Sequence, residues 1–271
     1  MRKINFTKMV AAGNDFVVIE SGYPVIRLSG YPALARSICD RKYGIGADGL
    51  LVLEKSKVAD VKMRIFNADG SEAQMCGNGA RCVALFKSQV TSHKSQVKIE
   101  TRAGIIESEA KGDNIRIQLT GPKNLKLDIP IRVNNRQIRV SFINTGVPHA
   151  VIFVEGLEKI DVINLGRMIR FHKQFSPRGT NVDFVEVLSN NSIRVRTYER
   201  GVEDETLACG TGAVAAALIT TYNLRLTTDK INVYTQSGEI LKVYFTRMGN
   251  TFKNVWLEGK VTIVHKGVIC I

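Results

Sequence analysis

The chain carries the same fourteen-residue device twice, and this duplication constrains its fold more than any other feature. Glu72-Ala73-Gln74-Met75-Cys76-Gly77-Asn78-Gly79-Ala80-Arg81-Cys82-Val83-Ala84-Leu85 aligns without a gap on Glu205-Thr206-Leu207-Ala208-Cys209-Gly210-Thr211-Gly212-Ala213-Val214-Ala215-Ala216-Ala217-Leu218, with seven identities in fourteen positions. With glycine near 7% of ordinary composition, unrelated stretches of this length share about one residue. Each copy reads as a cysteine on a glycine-rich turn that opens a helix. Gly13 and Gly146, Gly46 and Gly179, and Cys76 and Cys209 all match at an offset of 133, and Thr101-Arg102-Ala103-Gly104 returns as Thr235-Gln236-Ser237-Gly238 at 134. Self-similarity at half the length of a 271-residue chain means two copies of one domain rather than a solenoid of short units.

Residues 4–10 are an apolar segment, 16–19, 50–53 and 61–66 read as strands, and 97–101, 105–110 and 115–119 alternate as half-buried strands do. Helical spacing over 31–43, with Gly44 where a C-cap belongs, returns over 164–174. Residues 77–87 read as a helix, and 213–219 are apolar all the way round, which suits a helix wrapped by protein on every side. Many short strands about one such helix per repeat predict an α+β domain whose sheet encloses the helix. The boundary falls near 121–135, and 260–271 is left over as a final strand.

Composition removes several function classes. The chain is 44% apolar and 23% charged, as soluble globular proteins are, and no apolar run approaches the roughly 20 residues of a membrane span. Residues 1–8 hold no signal-peptide core, so a cytoplasmic protein is expected. Five cysteines, an odd number, argue against a disulfide framework. Cys39 and Cys270 read as small buried hydrophobes and Cys82 as helix core. The net charge of +13 is spread without a basic run, which predicts a solvated basic surface rather than a nucleic-acid face. A basic nucleic-acid-binding protein remains the alternative of a different class. Gly44-Ile45-Gly46-Ala47-Asp48-Gly49 spells the dinucleotide fingerprint, but it follows a helix and precedes a strand, the reverse of what that motif needs. Gly210-Thr211-Gly212 does open a helix, yet no strand is read directly before it. Cys76 and Cys82 lack zinc-ligand spacing, and no metal is expected.

Thiolate is the reactive form of cysteine, and a helix N-terminus favours negative charge, so each device is expected to lower its thiol pKa. The N–H groups around Gly77, Asn78, Gly79, Gly210, Thr211 and Gly212 suit a carboxylate. If the two repeats face each other, two helix starts converge on one carboxylate and two sulfurs flank the neighbouring carbon. One cysteine then acts as general base and the other, protonated, as general acid on the opposite face. The oriented N–H groups stabilise charge that builds on the carboxylate as the α-proton leaves. Redox chemistry and inert packing are the rival uses of two cysteines. A C-x-x-C pair is absent, and packing would not explain the duplicated Gly-x-Gly turns.

At these residues the sequence resembles the diaminopimelate epimerase family. The resemblance runs through Gly13-Asn14-Asp15-Phe16, Arg64-Ile65-Phe66-Asn67-Ala68-Asp69-Gly70-Ser71-Glu72, Cys76-Gly77-Asn78-Gly79-Ala80-Arg81-Cys82, Pro148-His149, Tyr198-Glu199-Arg200-Gly201 and Ala208-Cys209-Gly210-Thr211-Gly212. It implies an isomerase that interconverts LL- and meso-diaminopimelate with neither pyridoxal phosphate nor metal, on the route to lysine and peptidoglycan precursors. The implied fold is α+β: two pseudo-symmetric domains, each a mixed β-sheet rolled around a central helix. Residues 1–121 with 262–271 would form one domain, 122–261 the other. The implied assembly is a homodimer, with no nucleic-acid or membrane partner.

By the same resemblance Cys76 and Cys209 are the two bases, and Gly77, Asn78, Gly210 and Thr211 hold the reacting carboxylate. Asn14, Asn67, Asn181, Glu199 and Arg200 recognise the rest of the substrate, and His149 and Glu199 tune the thiols. Read alone, His149 is a turn residue hydrogen-bonded to backbone. Two positions depart from the family. Gly146-Val147-Pro148-His149 stands where many members read Gly-Asn-Pro-His, and Gly49 stands where many carry Gln. Asn144 or Thr145 could supply a substitute donor. Otherwise the distal pocket has changed, and the chain is a related amino-acid racemase.

Overall fold

In a computed structural model, described over residues 3–22, 26–90, 95–249 and 251–270, the chain divides into two compact units. One is Met1–Ile117 with Gly259–Ile271 and the other is Gln118–Glu258.

The first unit opens on an antiparallel pair, β1 (Lys3–Ala11) and β2 (Asn14–Glu20). α1 (Ile26–Cys39) leads to β3 (Gly49–Glu54), which lies parallel to β2. β4 (Val61–Asn67) and the short β5 (Glu72–Ala73) follow antiparallel. After α2 (Gly77–Val90), β6 (Gln96–Thr101) pairs parallel with β4. β7 (Gly104–Lys111) and β8 (Asn114–Gln118) continue antiparallel. Parallel neighbours need a crossover, and a helix stands at each of these two points.

The second unit begins with a strand that has no counterpart so far, β9 (Lys123–Val133), paired antiparallel with β10 (Arg136–Asn144). From β10 the first plan repeats. β11 (Pro148–Phe153), α3 (Val162–Arg170), β12 (Asn181–Ser189), β13 (Ser192–Glu199) and β14 (Asp204–Thr206) answer β2 to β5, with β11 and β12 parallel. α4 (Gly210–Asn223), β15 (Lys230–Tyr234), β16 (Ile240–Met248) and β17 (Thr251–Lys260) answer α2 to β8. The last strand, β18 (Thr262–Cys270), belongs to the first unit and runs antiparallel to β1, as β9 does to β10. The leftover segment thus supplies the strand that the first copy lacks.

Burial explains the sequence patterns. β2 and β3 read as unbroken apolar runs because both faces are covered. Val17, Ile19, Leu50 and Val52 pack with Leu34, Ala35 and Ile38 of α1, while α2 lies against the same strands. α2 touches β1, β2, β3, β4, β6 and β7, and residues 78–85 are all buried. α4 touches β10, β11, β12, β13, β15 and β16, with residues 212–221 buried. Each unit is therefore a mixed sheet rolled around a helix, as expected. The shared Glu of the two devices also has a structural role. Arg64 grips Glu72 through Nε–Oε1 at 2.8 Å and Nη2–Oε2 at 3.0 Å, and Arg196 grips Glu205 at 2.7 and 2.8 Å. These forked pairs tie the short strand before each cysteine to its neighbour.

Several expectations need correction. α1 ends at Cys39, not near Tyr43, because the Asp40 carboxylate accepts the N–H groups of Lys42 and Tyr43 at 2.7 Å each and turns the chain. Gly44 is not a left-handed cap; a Cβ there would lie 2.3 Å from the Ser37 carbonyl oxygen, so close packing demands glycine. The helix expected over 164–174 is Val162–Arg170, capped by Asp161, whose carboxylate accepts the Asn164 N–H at 3.1 Å. β5 and β14 were not anticipated, so a three-residue strand does stand shortly before Gly210. Cys39 and Cys82 are buried, but Cys270 is exposed near the end of β18, opposite Lys3. Among the described residues no helix is long and apolar enough to cross a membrane.

Candidate active site

In the second unit the expected residues gather at the start of α4. Cys209 is the N-cap: its backbone is extended and its carbonyl accepts the Ala213 N–H at 2.9 Å. Its sulfur lies 3.5 Å from Thr211 Oγ1. Thr211 Oγ1 is in turn 3.0 Å from His149 Nε2, and His149 Nδ1 is 2.7 Å from Asp183 Oδ2. His149 and Asp183 are wholly buried, so His149 is not a turn residue satisfied by backbone. Asp183 Oδ1 accepts the Thr197 hydroxyl at 2.8 Å. Asn181 Nδ2 donates to the Pro148 carbonyl at 3.0 Å, and Asn181 Oδ1 accepts the Arg200 N–H at 2.8 Å. Its amide thus holds β11, β12 and the end of β13 together.

Burial pushes the Cys209 thiol well above its ordinary pKa, and the acidic groups Glu199 and Asp183 add to the rise. The Thr211 hydroxyl and the Gly212 N–H work in the opposite direction without overcoming it. The expected lowering by the helix start is therefore overturned at this cysteine. Desolvation and two neighbouring acids outweigh one helix end. Burial also raises the Glu199 carboxyl. Thr145 spends its hydroxyl proton on the Thr211 carbonyl at 3.0 Å, and Asn144 Oδ1 accepts the Gly146 N–H at 2.9 Å. Of the two substitutes for the missing amide, Thr145 is thus already committed to the helix start.

In the first unit Cys76 precedes α2 in the same way, its carbonyl accepting the Ala80 N–H at 2.9 Å. Cys76 is half-buried. Asn78 turns its side chain inward, where Oδ1 accepts Arg81 Nη2 at 2.6 Å, so what its position offers a ligand is backbone. Phe16, Gly49 and Asn67 are successive partners across β2, β3 and β4, which sets Asn14 and Asn67 at the same end of the sheet. Asn67 Nδ2 donates to Ser71 Oγ at 2.9 Å. Asp15, beside Asn14, is held by Lys8 at 2.7 Å and Arg41 at 2.9 Å. Burial alone would raise that carboxyl, but these two cations keep it below the usual carboxylate range.

Two groups in the second unit escaped the reading of the sequence, Asp183 and Thr197. A signal existed. Asp183 is a charge inside Val182-Asp183-Phe184-Val185, a strand otherwise apolar enough to be buried on both faces, where acids are almost never found unpaired. Among the described residues no group of three or more His, Cys, Asp or Glu side chains could hold a metal ion.

A thiol at a helix start can exchange a proton, and the N–H groups of such a start can hold a carboxylate. The sequence model for diaminopimelate epimerase matches residues 6–126 and 141–264. A diaminopimelate epimerase of Aquifex aeolicus is 42% identical over 274 residues, covering 97% of each chain. That of Archaeoglobus fulgidus is 40% identical over 280 residues, covering 98% of this chain and 96% of its own. Solved structures share the fold at lower identity. A PhzF-family phenazine biosynthesis protein of Bacillus anthracis superposes with a TM-score of 0.76 at 16% identity, covering 100% of both chains. A hydroxyproline epimerase of Agrobacterium vitis gives 0.71 at 17%, covering 99% of this chain and 92% of its own. With family motifs matched along nearly the whole sequence and both cysteines at helix starts, the chain belongs to the diaminopimelate epimerase family.

Proposed function

We propose that this chain interconverts LL- and meso-diaminopimelate without pyridoxal phosphate or metal, using Cys76 and Cys209 as the two acid/base groups. The observation that carries the reading is the duplication itself: each cysteine is the residue before a buried helix whose first turn is Gly-x-Gly. One thiolate removes the α-proton, and the electron pair left on carbon spreads onto the α-carboxylate. The N–H groups at Gly77, Asn78, Gly210 and Thr211 stabilise that charge. The other thiol then gives its proton to the opposite face, so the carbon is inverted and the two sulfurs have exchanged states. Asn14, Asn67, Asn181, Glu199 and Arg200 recognise the remainder of the substrate. A distal carboxylate and ammonium call for a cation, an anion and amides, which this set supplies.

Cys76→Ala and Cys209→Ala should each abolish epimerisation; near-full activity in either single variant overturns the two-base reading. Val147 favours a second reading, in which the distal pocket has changed and another amino acid is the substrate. Comparing α-proton exchange on diaminopimelate, proline, histidine and glutamate separates the two. We place the enzyme in the cytoplasm as a homodimer without nucleic acid. Sedimentation at micromolar concentration, alone and with DNA or RNA at physiological salt, tests the last two points.

A further inference from the structure

The two copies of the fold differ most where the second one buries polar groups. His149 pairs with Asn181 across β11 and β12 as Phe16 pairs with Gly49 across β2 and β3. The missing Cβ of Gly212 faces Asp183 and Thr197, whereas that of Gly79, at the same place in the first copy, faces Leu51 and Ile65. His149, Asp183 and Thr197 therefore occupy the positions of Phe16, Leu51 and Ile65. One repeat fills this space with hydrocarbon and folds. The other places an imidazole, a carboxylate and a hydroxyl there, so the fold does not itself require them.

Their hydrogen bonds fix which ring nitrogen carries the proton. The Asp183 carboxylate only accepts; Thr197 donates to Oδ1 and His149 Nδ1 meets Oδ2, so Nδ1 must be the N–H. The Asn181 amide is oriented by its bonds to Pro148 and Arg200, which leaves its NH2 3.5 Å from His149 Nε2. Nε2 thus faces a donor on that side and the Thr211 hydroxyl, at 3.0 Å, on the other. With Nε2 accepting from the Thr211 O–H, the lone pairs of Thr211 Oγ1 are turned toward the Cys209 S–H.

We propose that Asp183, supported by Thr197 and Asn181, is a positioning residue that locks His149 with its proton on Nδ1. The directed chain Cys209 Sγ–Thr211 Oγ1–His149 Nε2 then carries the proton out of Cys209 whenever that residue has to serve as base. The step balances internally. The Cys209 S–H bond breaks as its proton joins Thr211 Oγ1, the proton of that hydroxyl moves to Nε2, and thiolate and imidazolium result. The imidazolium keeps its Nδ1–H bond to Asp183, which remains a carboxylate. Return of the proton reverses every bond. Such a path is needed because Cys209 is buried, with Glu199 and Asp183 both disfavouring its ionised form. The first copy has Asn78 at the place of Thr211 and no imidazole, so the device serves one cysteine of the two.

The use of the relay rests on the two-thiol reading above, but the tautomer does not, and the test keeps them apart. Nitrogen-15 spectra of the histidine-labelled full chain should show the His149 ring with its proton on Nδ1. A ring protonated on Nε2 alone overturns the proposal, whatever the activity. Thr211→Val keeps shape and removes the hydroxyl; it should lower kcat/KM by about tenfold or more, in the range of acid/base contributions, while Thr211→Ser stays within about threefold. Equal rates for Val and Ser variants overturn the relay. In Asp183→Asn the His149 proton should shift toward Nε2 in the same spectra. Should that variant fail to fold, the wild-type spectrum and the Thr211 pair still decide. Activity surviving in Cys209→Ala would instead defeat the two-thiol reading and leave the tautomer standing.

Discussion

Gly79 and Gly212 stand at the same place in the two devices, each the third residue of its helix, yet alanine should cost far more at the second. An added Cβ at Gly212 would lie 2.3 Å from Asp183 Oδ1 and 3.2 Å from Thr197 Oγ1. Real carbons do not approach an oxygen so closely, and the carboxylate is held from both sides by Thr197 and His149. Overpacking costs about 1–3 kcal/mol, and loosening a hydrogen bond to a charged group about 1.5–3 more. Against this stands roughly 1 kcal/mol gained by alanine over glycine in a helix. The net loss for Gly212→Ala is about 1.5–5 kcal/mol. At Gly79 the nearest atom is Leu51 Cδ2 at 3.0 Å, the end of a flexible side chain that can give way. Gly79→Ala should therefore fall within about 1 kcal/mol of wild type. Urea denaturation followed by circular dichroism measures both. A Gly212→Ala loss no greater than that of Gly79→Ala would refute the claim that the buried carboxylate, rather than the helix turn, demands glycine there.

Burial raises the Cys39 thiol to about 11, so between pH 9 and 11 the unfolded chain ionises this group and the folded chain does not. Stability should be unaffected below pH 9 and fall as pH rises through that window, by up to about 2–3 kcal/mol. In Cys39→Ala that slope should be shallower, so a constant offset between the two proteins' urea-derived stabilities across this pH window would contradict it. The Arg196–Glu205 pair, with side chains 14% and 17% exposed, is better shielded than Arg64–Glu72 at 29% and 20%. Double-mutant cycles should give it the larger coupling, about 1 kcal/mol or more, and a larger value for Arg64–Glu72 would reverse the argument.

Strong local physics made much of this legible in the sequence. The duplicated Cys-Gly-x-Gly turns placed both cysteines before helices, and the all-apolar stretch beginning at Ala213 announced a helix enclosed by its sheet. Short apolar runs such as Leu50 to Leu53 read as strands, and the structure covers them on both faces. What stayed hidden depended on contacts distant in sequence or on elements too short to have a period. β5 and β14, at two and three residues, carry no alternation. The end of α1 is decided by the Asp40 side chain capturing two N–H groups, although helical spacing runs on to Tyr43, which is 93% exposed. The buried partner of His149 lies 34 residues away on the adjacent strand, so neither residue alone signals the pair. The rise of the Cys209 thiol follows from burial and two acids that only the folded chain brings together, and it reverses what a helix start alone suggests.

The central claim is that two different groups act on opposite faces of one α-carbon, and solvent isotope incorporation in the first turnovers tests it most directly. LL-diaminopimelate is incubated with the enzyme in heavy water, and both isomers are recovered at a few per cent conversion. If Cys76 and Cys209 divide the work, the meso product carries deuterium at its inverted carbon from the outset, because its new proton comes from a thiol equilibrated with solvent. The remaining LL substrate keeps its protium. Early meso product that retains the substrate's own proton would mean that one group both removes and returns it, and the two-base account would fail.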